Sequence, residues 1–239
     1  MTDHEPFQRE PQNPQDPQVV VFSPELLKLA DRRRQALEDC RQAAEDGDAN
    51  AVVQMGMNCL YGIGGAAKDP EKAFRWFSQT APDDPAGLYW LGVCYDNGFG
   101  VERDEDRACR LYQESAAGDY APALCNLGVC YESGQGVEKN LEKAVELYRR
   151  AAEQGSDLAR CRLGRLYERG LGVERDLRRA EELYEAGTRA GVSGAKEAMD
   201  RVRAALAAPP EPQPEDKPVD KKSPLRRLLD RLKGPKSEE

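Results

Sequence analysis

The sequence predicts an all-α fold: a right-handed α-solenoid of about four 36-residue helix-turn-helix repeats, with a capping helix at each end. Two observations carry this. The pair Leu91-Gly92 returns as Leu127-Gly128 and Leu163-Gly164, each 36 residues on, with Met55-Gly56 one period upstream. The residues after each pair return as well. Tyr95, Gly98, Gly100, Val101, Asp104, Ala108, Leu111 and Tyr112 are matched by Tyr131, Gly134, Gly136, Val137, Asn140, Ala144, Leu147 and Tyr148. The third set is Tyr167, Gly170, Gly172, Val173, Asp176, Ala180, Leu183 and Tyr184. A fixed period of 20–50 residues marks stacked units, in contrast to a closed globule.

Each unit reads as two helices. The apolar spacing is near 3.6 around Ala123, Leu127, Cys130 and Tyr131, and again around Ala144, Leu147, Tyr148 and Ala151. The Gly-x-Gly-Val between them breaks the first helix, because glycine takes positive φ at no steric cost. Asp104, Asn140 and Asp176 then fall where a helix N-cap belongs. The first unit is looser: Cys59 replaces the tyrosine, Gly65 replaces the valine, and one residue is gained before Asp69. The stretch from Pro82 to Pro85 is one residue short, which restores the register. A lone hairpin of this kind cannot bury its apolar face, so three or more units and atypical ends are required.

Both ends read as caps. Residues 24–46 place Leu26, Ala30, Leu37, Cys40 and Ala44 along one helical face and form a second helix without its own first. Ala195, Ala198, Met199, Val202 and Leu206 give a final helix that lacks the Gly-x-Gly turn. The expected organisation is a disordered Pro/Gln-rich arm over 1–22, the solenoid over 23–207, a stiff Pro-rich linker over 208–222, and a basic amphipathic tail over 223–239. In the tail, Leu225, Leu228, Leu229 and Leu232 share one face, flanked by Arg226, Arg227, Arg231 and Lys233. Such a helix is a candidate for docking into a partner groove or lying on an anionic membrane; the alternative is an ordinary flexible end.

Taken together, the three in-phase segments resemble Sel1-like repeats, relatives of the tetratricopeptide repeat. The resemblance covers about three-quarters of the chain and rests on the LGxxY…GxGV…D…A…Y pattern. It implies helical superhelices that serve as adaptors and scaffolds for protein complexes. Some bacterial relatives carry a disulfide in each repeat and are linked to β-lactam binding. Here the cysteines do not recur as one pair per unit. Some tetratricopeptide domains clamp a terminal carboxylate with five residues. By phase, Asn126 and Arg162 match two of them, whereas Tyr89, Val93 and Leu158 do not, so no such clamp is predicted.

Composition narrows the function. A net charge of −8 argues against a general nucleic-acid role. No stretch reaches the roughly 18 apolar residues of a membrane span, and the first 25 residues show no secretory signal. Seven cysteines without such a signal point to free thiols in a reducing, cytoplasmic setting. The single histidine, His4, lies in the arm, so a Ser–His or Cys–His dyad on the folded part is excluded. Cys125 and Cys130 are five apart on one helix and diverge around its axis, so they do not share a metal. The Gly-x-Gly turns lie between helices, without the βαβ context of a phosphate cradle. The expectation is therefore a non-enzyme without cofactor or metal, acting as a monomeric adaptor for protein or peptide segments.

The first helix of each hairpin is expected to line a concave groove. Phase from the Leu-Gly pair selects Val53, Met57 and Tyr61, then Tyr89, Trp90, Val93 and Asn97, then Asn126, Val129 and Glu132, and finally Arg162, Arg165 and Arg169. Trp90 replaces a polar residue held by the other units at that place, Gln54, Asn126 and Arg162. An apolar, aromatic half followed by a basic unit suits a segment with an apolar anchor and acidic residues. The competing reading has Trp90 shielding a neighbouring helix and the arginines pairing with Glu132 and Glu168.

Overall fold

The computed structural model describes residues 23–80 and 84–208. Among these, every regular element is a helix: α1 (Pro24–Glu45), α2 (Ala49–Tyr61), α3 (Pro70–Phe77), α4 (Pro85–Asn97), α5 (Glu105–Ala117), α6 (Ala121–Ser133), α7 (Leu141–Glu153), α8 (Asp157–Arg169), α9 (Leu177–Arg189) and α10 (Ala195–Ala207). This is the α-solenoid that the periodicity predicts. The chain forms two compact units, one ending at Ala159 and the other starting at Arg160.

In the first unit the hairpins are α2–α3, α4–α5 and α6–α7. Gly62, Gly98 and Gly134 end the first helices at φ 67°, 72° and 81°, where a side chain would be strained. The second helices start at Asp69, Asp104 and Asn140. The side-chain oxygens of these residues accept from the backbone N–H three positions on, at 3.0, 2.8 and 2.9 Å. Their own N–H groups donate back to the carbonyls of Cys59, Tyr95 and Tyr131, at 2.7, 2.9 and 2.9 Å. One residue thus caps a helix and closes the turn.

The glycine of each Leu-Gly pair has a steric cause. A Cβ on Gly56 would lie 2.3 Å from the ring of Phe77, one on Gly92 2.8 Å from Tyr112, and one on Gly128 2.6 Å from Tyr148. These three rings are buried side chains of the second helices. The Gly-x-Gly turn also carries the stacking of one hairpin on the next. A Cβ on Gly100 would meet the Pro70 carbonyl at 2.3 Å, and one on Gly136 would meet Cys109 Cβ at 2.8 Å. Each turn therefore settles on the start of the preceding second helix.

Helix α1 is longer than its neighbours, and its apolar stripe is covered over one half only. Leu37, Cys40 and Ala44 join Val52 and Met55 of α2, whereas Leu26 is 54% exposed and Ala30 is exposed. The lengths explain this. At 1.5 Å per residue and 3.6 residues per turn, the 22-residue α1 overruns the 13-residue α2 by about two and a half turns.

The second unit repeats the hairpin chemistry. Asp176 caps α9 through the Arg179 N–H at 2.9 Å and donates its own N–H to the Tyr167 carbonyl at 3.0 Å. Helix α10 closes the unit by placing Ala198, Met199 and Val202 against Ala180 and Tyr184.

Candidate partner-binding surface

The aromatic candidates come together in the first unit. Trp90 stacks on Phe77 with ring centroids 5.7 Å apart and planes 11° from parallel. Tyr61 at the end of α2 packs edge to face with Trp90, ring centroids 6.2 Å apart, and Tyr89 does the same at 5.3 Å. Tyr89 also meets Tyr120, the residue just before α6, at 5.5 Å. A row of four rings, Tyr61, Trp90, Tyr89 and Tyr120, therefore crosses the first helices of three successive hairpins. Val53 and Met57 are half-buried beside it, packed on the core formed by Cys59, Leu60, Ala73, Phe77 and Cys94. Tyr61 is 52% exposed and Ile63 46%. Burial pushes the Tyr89 hydroxyl up to about 12, so this phenol is neutral at ordinary pH.

The polar candidates are tied into the fold. Asn97 is exposed and donates to the Val93 carbonyl at 2.9 Å. Asn126 hydrogen-bonds the hydroxyl of Tyr112. Glu132 accepts from the Tyr148 hydroxyl at 2.9 Å. Val93 is buried, and Val129 is half-buried.

The Glu132–Tyr148 bond is one instance of a recurring pair. Tyr112 donates to Asp96 at 3.3 Å and Tyr184 to Glu168 at 2.9 Å, each across 16 residues. The first hairpin holds Leu60 and Phe77 at these two places, and both are buried. The polar pair is exchanged there for an apolar one, and Trp90 stacks on the exchanged ring.

In the second unit, α8 carries Arg162, Arg165 and Arg169 three and four residues apart, on one face. Arg162 Nε is buried and has no hydrogen-bond partner, and Arg169 is exposed. Glu168 is engaged elsewhere: Arg201 donates to both of its oxygens, at 2.7 and 2.9 Å. The Arg201 bonds foremost, and the Tyr184 bond, hold its carboxyl below the usual range against the effect of burial.

Two contributors were not singled out from the sequence. Phe77 is a buried platform for Trp90. Tyr120 had a visible signal: at 36-residue spacing its place is held by Asp48, Asp84 and Ser156. Those three side chains cap their helices at 3.0, 2.9 and 3.3 Å, whereas Tyr120 makes no side-chain cap. An aromatic in a capping slot marks a side chain recruited for something else. The tail candidates Leu225, Leu228, Leu229, Leu232, Arg226, Arg227 and Arg231 lie outside the described residues.

Among the described residues, no group of three or more His, Cys, Asp or Glu side chains is placed to hold a metal ion. No helix there is long and apolar enough to cross a membrane. Helical hairpins that carry an aromatic row on their first helices define a helical-repeat scaffold. The chain belongs to the Sel1 repeat family, whose repeat matches residues 49–81, 85–120, 121–156 and 157–192. Sel1-repeat proteins are generally non-catalytic protein-interaction scaffolds.

Solved structures agree. A Sel1 repeat protein from Oxalobacter formigenes superposes with a TM-score of 0.67 at 27% identity, over 77% of this chain and 75% of that one. A protective antigen present in uropathogenic Escherichia coli strains superposes with a TM-score of 0.59 at 36% identity, over 65% of this chain and 33% of that one. The rat DAP3-binding cell death enhancer 1 is 33% identical over 96 residues, which are 38% of this chain and 18% of the rat protein. This chain thus spans less than a fifth of that relative's length.

Proposed function

We propose that this chain is a cytoplasmic, non-catalytic adaptor that binds partner segments along the face presented by the first helices of its hairpins. The observation that carries the reading is the four-ring row from Tyr61 to Tyr120. Large, stiff aromatic side chains lose little conformational freedom on binding, and they are common anchors at interfaces. The partner of this row is a protein segment with an apolar anchor, and the arginines of α8 separately suit acidic residues of a protein segment.

Affinity capture tests this. Wild-type protein is compared with the Trp90→Ala/Arg165→Glu double variant, each with and without residues 209–239, and helicity is checked by circular dichroism. The double variant is expected to lose most captured partners while remaining helical. An unchanged partner set would show that recognition lies on another face. Loss of partners only on removal of 209–239 would move it to the tail.

A further inference from the structure

We propose that the four-ring row is a seat for extended, proline-rich segments, and that the chain's own N-terminal arm occupies it through Pro11, Pro14 and Pro17. This deepens the adaptor reading and rests on it for the choice of face. The rings of Tyr61, Trp90, Tyr89 and Tyr120 follow one another at 6.2, 5.3 and 5.5 Å, an unbroken aromatic strip. Their polar ends stay open. Among the described residues, neither the Trp90 indole N–H nor the hydroxyls of Tyr61, Tyr89 and Tyr120 are hydrogen-bonded within the protein, and none is sealed from solvent. The tyrosines of the second helices differ: Tyr112, Tyr148 and Tyr184 each donate to a carboxylate. An apolar strip edged with donors suits a backbone whose carbonyls make no internal hydrogen bonds. The polyproline II helix is such a backbone, and its segments dock on aromatic-lined surfaces.

The arm lies outside the described residues, and its sequence supplies the match. Pro11-Gln12-Asn13-Pro14-Gln15-Asp16-Pro17 places a proline at every third residue. Polyproline II turns once every three residues, so these prolines share one face at steps of roughly 9 Å. Two such steps are about as long as the three ring-to-ring steps of the row. The Pro-rich stretch after α10 keeps the spacing only once, between Pro209 and Pro212.

The point of attachment fits as well. Helices α1 and α2 run in opposite directions, with Cys40 against Ala51 and Leu37 beside Gly65. The start of α1, which carries the arm, therefore lies at the same end of the pair as Tyr61. The overrun of α1 beyond α2 is about 13 Å, and residues 18–22 span about 17 Å when extended. A tether this short holds the prolines at about millimolar effective concentration, so even a weak contact is well populated. The arm is then a built-in occupant, and a partner segment with prolines at the same spacing must displace it.

The test uses the full-length protein, labelled with nitrogen-15, and reads the indole N–H signals of Trp76 and Trp90, assigned with Trp90→Phe. Trp76 packs on the α1–α2 core and serves as the control for folding. The triple variant Pro11→Ala/Pro14→Ala/Pro17→Ala is expected to move the Trp90 signal and leave that of Trp76 in place. A peptide of residues 5–18, added to the triple variant in millimolar excess, should bring the Trp90 signal back, and the same peptide without its three prolines should not. A Trp90 signal identical in wild type and triple variant, or indifferent to the peptide, would overturn the proposal. A wild-type signal that moves to the variant position on dilution would place the arm on a second copy, and would overturn it too. The triple variant should also capture more partner than wild type does. The adaptor reading is judged separately, by whether Trp90→Ala/Arg165→Glu loses its partners, so either reading can fail while the other stands.

Discussion

The ring of Tyr120 meets that of Tyr89 edge to face, with centroids 5.5 Å apart and planes at 63°. Tyr120 does so from a slot in which Asp48, Asp84 and Ser156 cap their helices. A helix cap has been given up for an aromatic contact. Tyr120→Asp should therefore restore a cap worth about 1 kcal/mol and lose an aromatic pair worth about the same. Urea denaturation should show a net change within about 1 kcal/mol. Partner capture should fall, because the end of the aromatic row is gone. A variant that binds as the wild type does would remove Tyr120 from the surface.

The glycines facing the second-helix rings set up a graded comparison. A Cβ on Gly128 would lie 2.6 Å from the Tyr148 ring, whereas on Gly164 the nearest atoms are 3.3 Å away. Alanine gains about 1 kcal/mol of helix propensity over glycine at either site. At Gly128 the clash should win, with a loss of about 1–3 kcal/mol. At Gly164 the two effects should nearly cancel. Thermal melts of the two variants side by side provide the measurement.

The tyrosine–carboxylate pairs predict opposite outcomes for related changes. Tyr148→Phe removes the donor to Glu132 and should cost about 1–2 kcal/mol. Phe77→Tyr introduces a hydroxyl where Leu60 stands in place of the carboxylate, and should cost about 1–3 kcal/mol for burying it unpaired. Adding Leu60→Asp to Phe77→Tyr should recover part of that loss. A double-mutant cycle reads the recovery as a coupling.

Glu168 links stability to pH. Its folded pKa is depressed, chiefly by Arg201. A depressed carboxylate adds stability above its unfolded pKa, and this fades as pH falls through the folded value. Glu168→Gln should therefore be less stable than wild type at neutral pH, and the gap should narrow below about pH 4. Urea melts at pH 7, 5 and 3.5 would show it. A gap that stays constant across this range would mean that the ionic bond to Arg201 contributes nothing.

Much of the fold was legible because it is written several times over. The caps at Asp104, Asn140 and Asp176 and the glycine turns follow from local backbone chemistry, which spacing reveals. The Leu-Gly glycine was legible as a fixed point of the repeat, but the ring that demands it stands about 20 residues away on another helix. The pairing of Asp96, Glu132 and Glu168 with tyrosines was hidden for the same reason: phase from one helix assigned Glu132 to the groove, while its partner comes across the turn. The covering of α1 depends on the length of α2, a property of two elements together. Trp90 stood out by contrast with its in-phase neighbours, and the same contrast at Tyr120 needed the capping slot to be compared as well.

Where one hairpin settles on the next, the glycine at 136 meets a Cβ atom and backbone of the preceding helix. Every residue except glycine offers that Cβ. The junction thus demands little of its neighbour's identity, so an inserted copy of 121–156 would find Val145 as serviceable a seat as Cys109. Chain length can then change by whole modules without redesign at the seam, leaving the exposed rows free to diversify.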